Sequence, residues 1–118
     1  LALTGAVIVT TPQDLALLDV KKGADMFKKV NTPVLGVVEN MSHYLCPHCN
    51  ETSEIFIGGG GKSESDRLDV PLLAKIYLTP ELATSTDSGE PYVFQYKNSP
   101  ITDMFTSMAN TLIQMVDK

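Results

Sequence analysis

Two cysteines lie in one short segment, Cys46-Pro47-His48-Cys49, with His43 three residues upstream of the first. Thiolates two residues apart can grip a single metal ion or one side of a metal cluster, and Pro47 stiffens the turn between them. A closed zinc site takes four ligands, and iron–sulfur clusters are commonly held by four cysteines. One chain therefore offers half of either set. Three chemistries stay open on this arithmetic. The pair could join His43 or His48 at zinc, although His48 lies inside the tight turn. It could act as a redox dithiol, although such pairs usually open a helix directly after a strand. Or two copies of the chain could face each other across a two-fold axis and pool four thiolates around one centre. A pair of unused surface thiols, with both histidines as solvated polar residues, is the plain alternative.

A second stretch, Phe56-Ile57-Gly58-Gly59-Gly60-Gly61-Lys62-Ser63, looks like a phosphate-binding loop. The Walker pattern Gly-x4-Gly-Lys-Ser/Thr places its first glycine where this chain has Phe56. A variant with a second lysine would place it at Ile57. Both tests fail, and no strong apolar strand precedes the run. Lys62 and Ser63 therefore take no phosphate role. The glycines read as a linker, or as a helix lead-in that lets two backbones approach closely.

The totals narrow the field. A chain of 118 residues with 43% hydrophobic and 19% charged residues is ordinary for one globular domain. A net charge of −5 argues against nucleic acid as a partner, since phosphate binding displaces counterions with a basic surface. No apolar run nears the ~20 residues of a membrane span, and no secretory leader is visible. Two cysteines are too few for a secreted disulfide scaffold, so a cytoplasmic, reducing setting is expected. The chain opens on Leu1-Ala2-Leu3-Thr4 without a methionine, which reads as a piece of something longer.

The elements that must position these residues follow from pattern. Residues 6–10 (Ala-Val-Ile-Val-Thr) and 34–38 (Val-Leu-Gly-Val-Val) are short, largely apolar runs rich in β-branched residues, of the kind buried on both faces of a parallel sheet. Between them, Thr11 is expected to cap a helix with Pro12 in its first turn and Asp14 at its positive end. Ala16, Val20, Gly23, Phe27 and Val30 would form its apolar face. Two parallel strands joined by a helix make a β-α-β unit. A polar insertion around residues 43–57 carries the cysteines. A short helix near 62–68, a third strand over 70–78, a Thr79-Pro80 helix start and a Ser99-Pro100 helix start complete the chain. The last helix presents Ile101, Met104, Phe105, Met108, Leu112, Met115 and Val116 on one side. Three strands make a thin layer, and one strand edge is expected to stay open and apolar.

Taken in order, the motifs resemble the Mrp/ApbC family of iron–sulfur carrier ATPases, relatives of MinD and the nitrogenase iron protein. The residues that carry the resemblance are Gly5–Asp14, Lys22-Gly23, Met26-Phe27, Val38-Glu39-Asn40-Met41-Ser42, Cys46-Pro47-His48-Cys49, Glu54-Ile55-Phe56, Gly59-Gly60-Gly61, Val70-Pro71 and Asp87-Ser88-Gly89-Glu90-Pro91. Together they span about residues 4–93. The resemblance implies an α/β fold: the C-terminal part of a doubly wound, mainly parallel, three-layer α/β/α sheet of P-loop NTPase type, with 1–118 as a single partial domain. It places the lysine-rich phosphate loop and an aspartate switch before residue 1, so these residues alone are expected to lack ATPase activity. It assigns Asn40 to the adenine edge of ATP bound with magnesium in the full-length protein. It assigns Cys46 and Cys49 to a [4Fe–4S] cluster shared by a homodimer and passed to apo iron–sulfur proteins. Tyr77, Thr79, Ile57, Ala74 and Ala83 depart from the family pattern. The departures at Tyr77 and Thr79 put a base-pocket role for that segment in doubt. Two other functions compete: a zinc-stabilised interaction domain without enzymatic activity, and a MinD-like regulatory ATPase. The second is disfavoured by the CxxC and by a last helix whose one cation is Lys118.

Overall fold

The computed structural model describes residues 2–56 and 60–117. Ile57, Gly58 and Gly59, part of the glycine run and one of the family departures, lie outside the described residues. Three parallel strands form the main sheet in the order β1 (Ala6–Thr10), β2 (Val34–Glu39), β5 (Leu72–Lys75). The two apolar runs and the helix between them thus form the expected β-α-β unit. β1 lies at one edge of this sheet, and Val9 there is 60% exposed, in keeping with an open apolar edge.

Because successive strand residues point to opposite faces, the sheet builds two cores. On one face Ile8 and Val37 pack with Ala24 of α1 (Asp14–Lys29), flanked by Val20, Phe27, Leu68 and Leu72. On the other, Val38 and Ile76 pack with Ile101 of α5 (Pro100–Val116), flanked by Met104, Phe105 and Met108. Helix α2 (Gly60–Leu68) lies beside α1, which gives helix, sheet and helix layers. Arg67 of α2 donates to both oxygens of the buried Glu64 and reaches Asp25 Oδ1 of α1 at 3.5 Å, so the two helices are tied by charge as well as by packing.

Helices α3 (Pro80–Ser88) and α5 start as their sequences foretell. Thr79 Oγ1 accepts from Leu82 N at 3.2 Å, Ser99 Oγ accepts from Ile101 N at 3.1 Å, and each helix has proline in its first turn. A short helix, α4 (Tyr92–Gln95), joins them.

Three local expectations are corrected. Helix α1 begins at Asp14 with Gln13 as its N-terminal boundary, and Thr11 does not cap it. Thr11 Oγ1 instead donates to Gln13 Oε1 at 3.1 Å, while Pro12 turns inward at the strand end. The buried face of α1 is centred on Leu17 and Ala24, and Val30, at the end of the helix, is exposed. The third strand covers Leu72–Lys75 rather than 70–78, because its partner β2 ends at Glu39 and the ladder runs out. No helix among the described residues is long and apolar enough to cross a membrane.

Candidate metal centre

Just past β2, main-chain bonds set the path of the chain. Asn40 N donates to Thr10 O at 2.7 Å, Ile76 N to Glu39 O at 2.8 Å, and Ser42 N to Ile76 O at 3.0 Å. Met41, at φ 55°, turns the chain so that residues 43–45 run alongside 76–78. There Leu78 N donates to His43 O at 2.7 Å and Leu45 N to Leu78 O at 3.3 Å, with Tyr44 and Leu78 in parallel register. The polar insertion therefore contains an antiparallel hairpin, β3 (Tyr44–Leu45) against β4 (Thr52–Ser53).

Cys46 and Cys49 occupy the tip of this hairpin. Cys46 N donates to Glu51 O and Asn50 N to Cys46 O, both at 3.0 Å, which closes a tight turn helped by Asn50 at φ 60°. Main-chain N–H groups of His48 and then Cys49, followed by the Cys49 thiol, hydrogen-bond to the Cys46 sulfur and hold its thiol below the ordinary range. A sulfur solvated by amides before any metal arrives is a ready ligand, since the thiolate is the form that binds. Both thiols are free; Cys46 is half-buried and Cys49 exposed.

Of the two histidines, His48 is solvated as expected and His43 is not. His48 contributes its backbone to Cys46, while its side chain is exposed. His43 is not merely solvated. Its Nδ1 and Ser42 Oγ are hydrogen-bonded at 2.8 Å, and its ring meets Tyr77 edge-on at 6.1 Å between centroids. Among the described residues no three His, Cys, Asp or Glu side chains are gathered into a metal-holding group.

Asn40 stands half-buried just past β2, where parallel sheets place their ligands, at the carboxyl ends of β1 and β2. Beside it lies a contact that sequence reasoning missed. Glu39, buried to 5% exposure, accepts from Gly61 N at 2.8 Å. A Cβ on Gly60, whose φ is +67°, would lie 2.3 Å from that same carboxylate oxygen. Two of the four glycines thus let the start of α2 press onto Glu39. The available signal was a carboxylate ending an otherwise apolar strand, with a glycine pair further along. A cleft of about 120 Å³ opens here, with Glu39, His43, Glu54, Lys62 and Lys75 in its wall.

A parallel sheet with α1 and α2 on one face and α5 on the other is a three-layer α/β fold, and the solved structures it matches are of the P-loop NTPase type. The chain superposes on a nucleotide-binding protein from Archaeoglobus fulgidus in complex with ADP, with a TM-score of 0.64 and 33% identity over 77% of this chain and 37% of that one. It superposes on the Pyrococcus furiosus cell division ATPase MinD with a TM-score of 0.69 and 25% identity over 95% of this chain and 43% of that one. The family described as ParA, NUBPL iron-transfer P-loop NTPase, matches residues 1–113, and the chain belongs to it. Relatives include the iron-sulfur cluster transfer protein NUBPL of Dictyostelium discoideum, 41% identical over 98% of this chain and 36% of its own length. The iron-sulfur cluster carrier protein of Aquifex aeolicus is 44% identical over 98% of this chain and 32% of its own length. That of Pseudomonas fragi is 47% identical over 91% and 37%. The chain spans about a third of the length of these relatives.

Proposed function

We propose that this chain is the cluster-bearing, C-terminal part of an iron–sulfur carrier, and that 1–118 forms one partial domain of a larger P-loop unit. In this reading Cys46 and Cys49 of two copies jointly hold a [4Fe–4S] cluster as cargo, which is passed to apo iron–sulfur proteins in a reducing, cytoplasmic compartment. The carrying observation is the hairpin tip itself: two thiols on a preformed turn, one already solvated by backbone N–H groups. Such a pair meets half of a cluster's ligand requirement and leaves the rest to a partner copy. The names of the relatives support the cargo. Asn40 lies at a strand end suited to reading the adenine of ATP held with magnesium by the full-length protein, and the ADP-bound neighbour supports nucleotide binding. Transfer to a recipient would proceed by exchange of thiolate ligands at the exposed Cys49 side of the turn.

Anaerobic reconstitution should load roughly two irons per chain, the stoichiometry of one four-iron cluster per pair of copies. Cys46→Ser and Cys49→Ser should each abolish loading and the accompanying dimer. Full loading in both variants defeats the reading. Mössbauer spectra of anaerobic material separate cluster from zinc, which thiolates also accept.

A further inference from the structure

The thiol hairpin is a small object hung from a large one, and its two strands are tied down differently. The incoming strand is pinned by main-chain bonds from Leu78 N to His43 O and from Leu45 N to Leu78 O. The outgoing strand follows it through two residue pairs, Tyr44 with Ser53 and Leu45 with Thr52, and both β4 residues are exposed. A two-pair ladder is marginal by itself. On this outgoing side Glu54 reaches back, placing Oε1 3.7 Å from His43 Nε2. His43 is in turn fixed from beneath. Ser42, buried to 3% exposure, holds Nδ1 at 2.8 Å, and Tyr77 packs edge-on against the ring.

We propose that His43 is a positioning residue for the two thiols: clamped by Ser42 and Tyr77, it catches Glu54 and sets the pose in which the hairpin presents Cys46 and Cys49. The ring is the hinge pin between the two legs of the hairpin. Ser42 fixes which nitrogen faces down, so the other faces Glu54. Lys62 and Lys75 share the cleft wall with Glu54, but Lys62 is engaged by Asp66 at 2.9 Å. His43 therefore acts on the cargo through the hairpin and does not ligate it. The purpose of the pose, joint ligation of a cluster, rests on the carrier reading above. The pose itself does not.

The test uses the full-length chain in three variants, His43→Ala, His43→Gln and Glu54→Ala. Amide hydrogen exchange is followed over residues 44–53 and over β2 in metal-free protein, and release of reconstituted iron to a chelator is timed. His43→Ala should speed hairpin exchange by about tenfold, since it removes a partly buried hydrogen bond together with the ring contact. Glu54→Ala should speed it by roughly threefold, the scale of a solvent-exposed polar side-chain contact. His43→Gln, which keeps a partner for Ser42, should fall between wild type and His43→Ala. Exchange in β2 should not change. Iron release should follow the same ranking while the amount loaded stays constant, a split that general unfolding would not produce. Wild-type hairpin exchange in His43→Ala overturns the proposal, as does equal acceleration in β2. Failure of the wild-type protein to load iron defeats the carrier reading instead, and the exchange ranking still decides on the pose.

Discussion

The sheet body and the thiol hairpin are joined end to end and hold together by different means. The body has two apolar cores on opposite faces of three strands, with Val37 entirely shielded from solvent. The hairpin has two ladder pairs, no residue in either core, and a tip whose bonds are between main-chain groups. Burial of apolar surface stabilises the first. The second keeps its shape chiefly through directional bonds, with one ring contact at His43, and such regions open locally long before the whole molecule unfolds. Under the carrier reading proposed above, that separation would let ligands rearrange around a departing cluster without disturbing the core.

The comparison can be broken at the body first. Ile101→Ala removes the α5 anchor of one core and should cost about 3 kcal/mol in denaturant unfolding. Iron loading of the folded fraction should stay at the wild-type level, and a matching loss of loading would mean that the two regions are one cooperative unit. Gly60→Ala probes the body again, where the start of α2 meets the end of β2. The new Cβ would crowd the Glu39 carboxylate from a left-handed backbone, at a cost of about 2 kcal/mol by the same unfolding measurement. A neutral result would show that α2 can withdraw from the strand end freely.

The smallest effect is at the tip. The Cys46 thiol is held below the ordinary range chiefly by the His48 N–H, so its thiolate persists as pH falls past the point where a free thiol, at about 8.5, is protonated. In Cys49→Ser protein, iodoacetamide labelling of Cys46 should therefore rise at lower pH than labelling of free cysteine. Coincident curves would show that the turn is not preformed.

Much of the body was legible in the sequence because its signals are local and repetitive. Apolar runs rich in β-branched residues marked β1 and β2, and Thr79-Pro80 and Ser99-Pro100 marked helix starts that the caps reproduce. Thr11-Pro12 carries the same dipeptide and misleads, since there the proline is drawn inward at a strand end and the helix waits for Asp14. The cysteines and Asn40 were legible as residue types at a recognisable spacing. The hairpin that carries the thiols was not. Two-residue strands leave no periodicity, and their pairing depends on Leu78, more than thirty residues away from Tyr44. Glu39 was hidden for a related reason: its partner is a backbone N–H supplied by Gly61, and a glycine does not announce what it will bond.

Residues 43–45 and 76–78 grip one another through peptide groups, which every amino acid except proline supplies in full. That joint is therefore blind to side-chain identity, so Tyr77 can stand at an unusual place without loosening it. The same blindness makes the thiol loop portable: grafted onto another parallel sheet whose neighbouring strand overruns by three residues, segment 42–54 should find its main-chain footing there, and only the seating of His43 would call for a ring in the place of Tyr77.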